Sequence, residues 1–423
     1  PSLDAALHTL RCLFPMVFAS SHAAVRLIAC VVLALTWHGG AAAAEHLHWN
    51  RRGGEHAAPL QWTNRHSHRV VALSTGELIL MGGQRTGTDM LRFKGDDYQL
   101  FDDVWFSVDG GVVWSRRPGG APWGYRSDFG TAVLRGGGAN ESIIVAGGMK
   151  PHTYTGLNAA FLDIKTRATA PVDNEVWQST DGGRLWTLLA AQAPWAARRG
   201  FGMVALSSTS LVIFGGVANF TRGKGDPTVA TNGVPAPVCF NPPWFNDVWR
   251  SDNGGVDWYE VRGEVPDDGT SIWRKRQDSS HAYLRTVDRI VVAAGELVPE
   301  AGFILPSSGG QGAPGLALAL AANDVWASDD QGATWTQLVQ NAAWPKRHSA
   351  SLVAVDLGDS EALILMGGMF ANASYLDIWR SDDYGASWRA IAVTPSHTLE
   401  PFADNRNGYV TFLKLRTVRL SRG

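Results

Sequence analysis

The residues of this chain with most chemistry in them recur at a fixed place. Arg65, Arg126, Arg198, Arg276 and Arg347 each stand three residues after a tryptophan, and Arg406, after Phe402, is a looser sixth. Asp103, Glu175, Asp247, Asp324 and Asp377 each precede a Val-Trp or Ile-Trp pair. Guanidinium groups ringing the mouth of a channel would bind an anion. Arginines matched by acids at constant register would instead pair with them inside the fold, or stack on neighbouring indoles. Equal numbers of both favour pairing, so the expectation is a structural role.

Other reactive side chains form no pattern along the sequence. His66 and His68 are two apart, and His348 lies far downstream. No zinc signature, glycine-rich phosphate loop or nucleophile elbow occurs. No residue is assigned a catalytic or metal-ligating role, and no cofactor is implied. With 37 basic and 39 acidic residues, the chain has no basic field for nucleic acid.

The elements that must carry these charges come from a repeat. Val-Trp or Ile-Trp ends at Trp105, Trp177, Trp249, Trp326 and Trp379, at spacings of 72, 72, 77 and 53 residues. Such a period means an array of small sheets. The third unit shows the grammar: Phe201–Leu206 is a strand, Ser207–Ser210 a turn, and Leu211–Gly216 a second strand ending in Gly-Gly. A long loop leads to Asp247–Ser251 and then Val256–Val261, a hairpin. Four short antiparallel strands, repeated, make a propeller blade. The repeat accounts for all 18 tryptophans except Trp37 and Trp244, so the indoles are expected to pack within and between blades.

The last two strands of each unit are joined by Ser-x-Asp-x-Gly-x-x-Trp, with the key residue at Asp109, Asp181, Asn253, Asp330 and Asp383. A carboxylate or amide there can accept backbone N–H bonds, and the glycine permits positive φ. The turn resembles the Asp-box of sialidases and of several other propellers, where it is structural and faces away from the ligand. The Gly-Gly marks at Gly82-Gly83, Gly147-Gly148, Gly215-Gly216 and Gly367-Gly368, with Ala294-Gly295 in the fourth unit, resemble those of kelch-type propellers. The resemblance covers roughly residues 46–415. It implies an all-β, six-bladed β-propeller. His46–Trp49 reads as a lone fourth strand and 406–415 as a first strand, closing the ring from the two ends with the last blade incomplete; seven blades is the alternative.

Residues 1–44 read as a leader, with Met16 as a start, Arg26, an apolar run at 27–35, and cleavage after Ala44. An uncleaved signal anchor is the alternative. Residues 45–423 are then one propeller domain, with Cys239 its single cysteine. A secreted protein could carry glycans at Asn140, Asn219 and Asn372.

Function is expected on the loops joining second to third strands, which share a face with the blade-to-blade linkers. They are long at 84–101, 149–173, 217–245 and 296–322. The 217–245 loop is richest, with Phe220, Arg222, Lys224, Phe240, Trp244 and Phe245 as binding candidates. The reading is a secreted or surface-displayed module binding a protein or glycan partner through this face, with no nucleic-acid role and membrane contact only through an uncleaved leader. The alternative is a carbohydrate-active enzyme, sialidase-like or galactose-oxidase-like. Against it, the arginines follow the repeat, Phe-Arg-Ile-Pro does not occur, and Cys239 lies on a loop. A buried polar pocket with paired carboxylates would favour the enzyme; a shallow face with exposed aromatics would favour binding.

Overall fold

The computed structural model describes residues 62–86 (without 64), 98–136, 141–150, 172–218, 243–267, 272–298, 320–370 and 373–395, and strand pieces at 28–29, 46–49 and 411–412. The described residues are all-β, without a helix. Four of the sheets are four-stranded and antiparallel, with strands in chain order. The first holds Arg69–Ala72, Leu78–Met81, Val104–Ser107 and Ser115–Arg116. The second runs Gly130–Arg135, Glu141–Met149, Val172–Ser179 and Thr187–Ala190. The third and fourth begin at Gly202–Ala205 and Ser280–Leu284. A fifth sheet, from Ser351–Asp356 to Arg389–Pro395, repeats the order. The first strands of successive sheets touch one another, an arrangement consistent with a propeller.

One strand sits elsewhere than expected. His46–Trp49 lies parallel on the outer edge of the fifth sheet, against Ala392–Pro395. An edge strand offers a full row of unpaired backbone groups and accepts whatever extended segment reaches it. Within 406–415 only Thr411–Phe412 is described, paired in parallel with Ile28–Ala29. The rest of the leader, Arg406, Cys239, Asn140, Asn219 and Asn372 lie outside the described residues.

Each sheet buries both faces, which is why its inner strands are continuously apolar rather than alternating. Ile79 and Val71 pack toward the second sheet with Val133, Val145 and Trp123, while Leu78, Leu80 and Val70 pack on the other side with Trp62 and Trp114. Similar layers join the second sheet to the third, the third to the fourth and the fourth to the fifth. In every unit the leading tryptophan meets the turn tryptophan edge-on. The pairs are Trp62–Trp114, Trp123–Trp186, Trp195–Trp258, Trp273–Trp335 and Trp344–Trp388, with centroids 4.1–6.1 Å apart.

The arginines pair with the acids, as equal numbers at fixed register implied. Arg198, fully buried, gives Nη1 to Asp247 Oδ1 at 2.6 Å and Nη2 to Oδ2 at 2.7 Å, and Nη1 also reaches Gly215 O at 3.0 Å. Arg65, Arg276 and Arg347 make the same bidentate pair with Asp103, Asp324 and Asp377. Arg126 uses one nitrogen on both Asp173 and Glu175, which also hold Lys150. The same carboxylates accept the third-strand indole N–H, as Trp249 Nε1 to Asp247 Oδ2 at 2.8 Å. Three guanidiniums also lie over aromatic rings: Arg65 on Phe101, Arg198 on Phe245 and Arg347 on Tyr375, at 3.8, 4.1 and 4.3 Å. The five repeat arginines among the described residues are therefore committed to the frame and do not form an anion-binding ring.

The Gly-Gly marks sit where backbone passes close. Gly148 has φ +100°, and a Cβ there would lie 2.6 Å from Phe129 Cβ and 2.8 Å from Ser127 O. The Ser-Asp turns lie at the opposite end of the sheets. In the first, Gly111 N donates to Ser107 Oγ at 2.7 Å, and Val112 N and Val113 N each donate to Asp109 Oδ1 at 3.0 Å. Asp181, Asn253, Asp330 and Asp383 accept backbone N–H groups in the same way. Each later turn also rests on the preceding sheet; a Cβ on Gly183 would meet Val104 at 3.1 Å.

Arg198→Ala should cost about 3–5 kcal/mol, because it strands the Asp247 carboxylate in the interior. A thermal melt checks this; unchanged melting combined with lost ligand binding would show that the arginine serves a site instead. A second outcome concerns pH. Burial would raise the carboxyls of Asp103, Asp324 and Asp377, but their arginine partners and indole N–H bonds outweigh it and hold them below the ordinary range. A depressed folded pKa contributes stability above the unfolded value of about 3.9 and loses it as pH falls through the folded values. Stability measured by denaturant titration should therefore fall steeply below about pH 4; a curve flat from pH 6 to 2 would contradict the pairing.

Candidate functional site

The residue after each repeat arginine pairs with the residue after each Gly-Gly. The bridges are His66–Gln84, Ser127–Met149, Arg199–Val217 and His348–Met369, with Gln277–Glu296 in the fourth unit. The next position holds left-handed backbone: Ser67, Asp128, Asp278 and Ser349 have φ of 55°, 55°, 50° and 55°, and Gly200 has 63°. Asp and Ser are among the residues tolerated there, and glycine adopts it freely.

Those five residues form a belt. Asp128 N donates to Ser67 O at 3.1 Å, Gly200 N to Asp128 O at 2.9 Å, Asp278 N to Gly200 O at 2.8 Å and Ser349 N to Asp278 O at 2.9 Å. The hydrogen bonds run from unit to unit and bring the five leading segments around one cavity of about 260 Å³. It lies at the end of the sheets where the second strands stop, the same end from which the long loops depart.

The lining mixes apolar side chains such as Phe201, Met203 and Leu352 with polar ones that carry both signs of charge. Arg69 and Arg199 bring guanidinium groups, and Asp128, Asp278 and Glu296 bring carboxylates, with His66, His348, Gln84 and Gln277 between them. Arg199 makes no ion pair among the described residues, unlike its buried neighbour Arg198. Gln277 Nε2 donates to Glu296 Oε2 at 2.7 Å, while Gln277 Oε1 is buried without a hydrogen-bond partner among the described residues. His348 Nδ1 lies 3.0 Å from Ser349 Oγ. Ligand atoms of Asp278, Glu296 and His348 all lie within 4.8 Å of one another.

The electrostatics follow from enclosure. Burial, with the charges of Asp128 and Glu296 beside it, pushes the Asp278 carboxyl up to about 7. Burial lowers His348, and lowers His68 well below the ordinary histidine value, where Arg65 and Arg69 add to the effect. Burial likewise lowers Arg69, against the pull of Asp128 and Asp278.

The candidates read from the 217–245 loop fall differently. Phe220, Arg222, Lys224 and Phe240 lie outside the described residues. Trp244 and Phe245 are buried, at 9% and 4% exposure, and Phe245 carries the Arg198 guanidinium on its ring. These two aromatics fold back as packing and offer no exposed contact surface. The cavity residues were missed because they are scattered: Asp278, Glu296 and His348 share no short motif. A signal was nevertheless present. Aligned on the repeat arginine, the next position reads His66, Ser127, Arg199, Gln277 and His348, varying in chemistry directly beside a constant residue.

No protein-family model matches this sequence, nor does any curated protein. Among solved structures the chain is similar to that of YjhT, with a TM-score of 0.50 and 14% identity over 79% of this chain and 86% of that one. At that identity the likeness is one of fold.

Proposed function

We propose that this chain is a kelch- and Asp-box-type propeller, secreted or displayed at a surface, that binds a glycan in the central cavity of its long-loop face. The observation behind this reading is that the repeat spends its constant residues on the frame and turns its variable ones into one cavity. Neighbouring carboxylates and guanidiniums suit sugar hydroxyls, which both donate and accept hydrogen bonds. At about 260 Å³ the space falls just below the roughly 300–1,000 Å³ of drug-sized pockets, so it fits a terminal sugar rather than a chain. A protein partner would engage the surrounding loops. The carbohydrate-active enzyme is the second reading, favoured by one observation: Asp278 and Glu296 present carboxylates close together in the same cavity.

Full-length protein on a glycan array should retain a sugar ligand, and Arg199→Ala should weaken it at least about tenfold with unchanged melting, the usual scale for a lost charged hydrogen bond. Conversion of the bound sugar, followed by NMR, would move the assignment to the enzyme. A protein partner captured equally well by Arg199→Ala, with no glycan bound, would sink the cavity reading.

The ring is proposed to hold six units. The backbone belt joins five, from Ser67 to Ser349, and Arg406-Asn-Gly408 repeats its register with a glycine two residues after the arginine. The sixth sheet would draw on the segments between Trp49 and Trp62 and after Pro395. Small-angle scattering should give the profile of a closed flat disc; an open arc would refute closure.

A further inference from the structure

We propose that Asp278, Glu296 and His348 form a divalent-cation site in the central cavity, joining the fourth unit to the fifth. The inference stands apart from the glycan reading, since it needs only the three side chains. Two carboxylates and one imidazole supply oxygen and nitrogen donors within 4.8 Å of one another. Bonds of about 2.0–2.2 Å put ligand atoms roughly 3–4 Å apart, so side-chain adjustments on the order of an ångström would complete the set. Asp278 is held by its backbone, donating from N to Gly200 O at 2.8 Å and accepting from Ser349 N at 2.9 Å.

The surrounding shell is arranged as ligands require. A metal-bound carboxylate is usually hydrogen-bonded, and a metal-bound imidazole usually donates its second N–H. Gln277 Nε2 holds Glu296 Oε2 at 2.7 Å. His348 Nδ1 faces Ser349 Oγ at 3.0 Å, which leaves Nε2 for the ion. Gln277 supplies an independent pointer. The residue is 7% exposed and lines the cavity, yet its Oε1 has no hydrogen-bond partner among the described residues. An amide oxygen left this way suits a cation or a water bound to one.

The donor set names the class of ion. Without thiolate it is unsuited to copper(I), and with three side-chain ligands it falls short of the six to eight oxygens calcium prefers. Manganese, zinc or ferrous iron fits mixed carboxylate and imidazole donors. Three protein ligands leave positions for water or for a ligand's hydroxyls.

The test uses the full chain stripped with EDTA and titrated calorimetrically with Mn²⁺ and Zn²⁺ alone. One equivalent should bind and raise the melting temperature, and His348→Ala and Glu296→Gln should each weaken binding at least tenfold. Arg199→Ala should keep the metal, so loss of glycan binding in that variant cannot be mistaken for loss of the ion. Should a ligand variant fail to fold, Co²⁺ on the unmodified protein serves: visible absorption displaced by one equivalent of Zn²⁺ supports the site. Gln277→Leu should weaken the metal by a smaller factor. No binding below millimolar concentration, or one equivalent bound with equal affinity by both folded ligand variants, overturns the proposal.

Discussion

Everything in this molecule depends on a guanidinium held in the interior by a carboxylate of its own unit. Arg198 ties three stretches of chain together: its own leading segment, the Gly-Gly at Gly215, and Asp247 at the start of the third strand. Asp247 in turn holds the Trp249 indole. Two charges out of water are costly, and the pair is tolerable only because nearly every donor and lone pair finds a partner. What such a clamp supplies best is definition. An apolar replacement could fill the volume, but it would not dictate which backbone carbonyl meets which strand.

That definition decides where the site is. The clamp fixes the backbone on either side of it, so the next residues, Arg199 and Gly200 in the third unit, have no freedom about where they point. Gly200 joins the belt through Asp128 and Asp278, and Arg199 lines the cavity. The belt positions are left-handed, a conformation that costs a non-glycine residue energy and persists only where the surroundings over-determine it. Here the clamps and the unit-to-unit hydrogen bonds do so, and the result is a rigid rim on which single side chains can vary without disturbing the sheets.

Much of the frame was legible because its signals are local and repeated. The tryptophan periodicity announced small sheets, and one acid per arginine at constant register announced pairing. The Ser-Asp turns were legible from eight consecutive positions, Ser107 to Trp114 in the first, since the Asp109 carboxylate acts on its own turn. The partner of His46–Trp49 was not legible. A single tryptophan says that a strand packs, but neither which edge it joins nor in which direction, and the edge of the fifth sheet took it in parallel. Trp244 was ambiguous for a related reason: an aromatic outside the repeat can face solvent or fold back, and only the finished blade decides.

The cavity was hidden for the opposite reason to the frame: it is assembled from what does not repeat. Glu296 stands where the other units place Gln84, Met149, Val217 and Met369, and His348 where they place His66, Ser127, Arg199 and Gln277. No short motif marks these residues, because their proximity is created by the belt. In a repeat protein the constant columns describe the scaffold, and a reading that attends to them alone sees no site. The columns flanking the constant ones are the place to look, for there the frame fixes direction and leaves chemistry open. Arg198 and Arg199 show it side by side: the first is identical in every unit and sealed inside, the second is peculiar to its unit and lines the cavity.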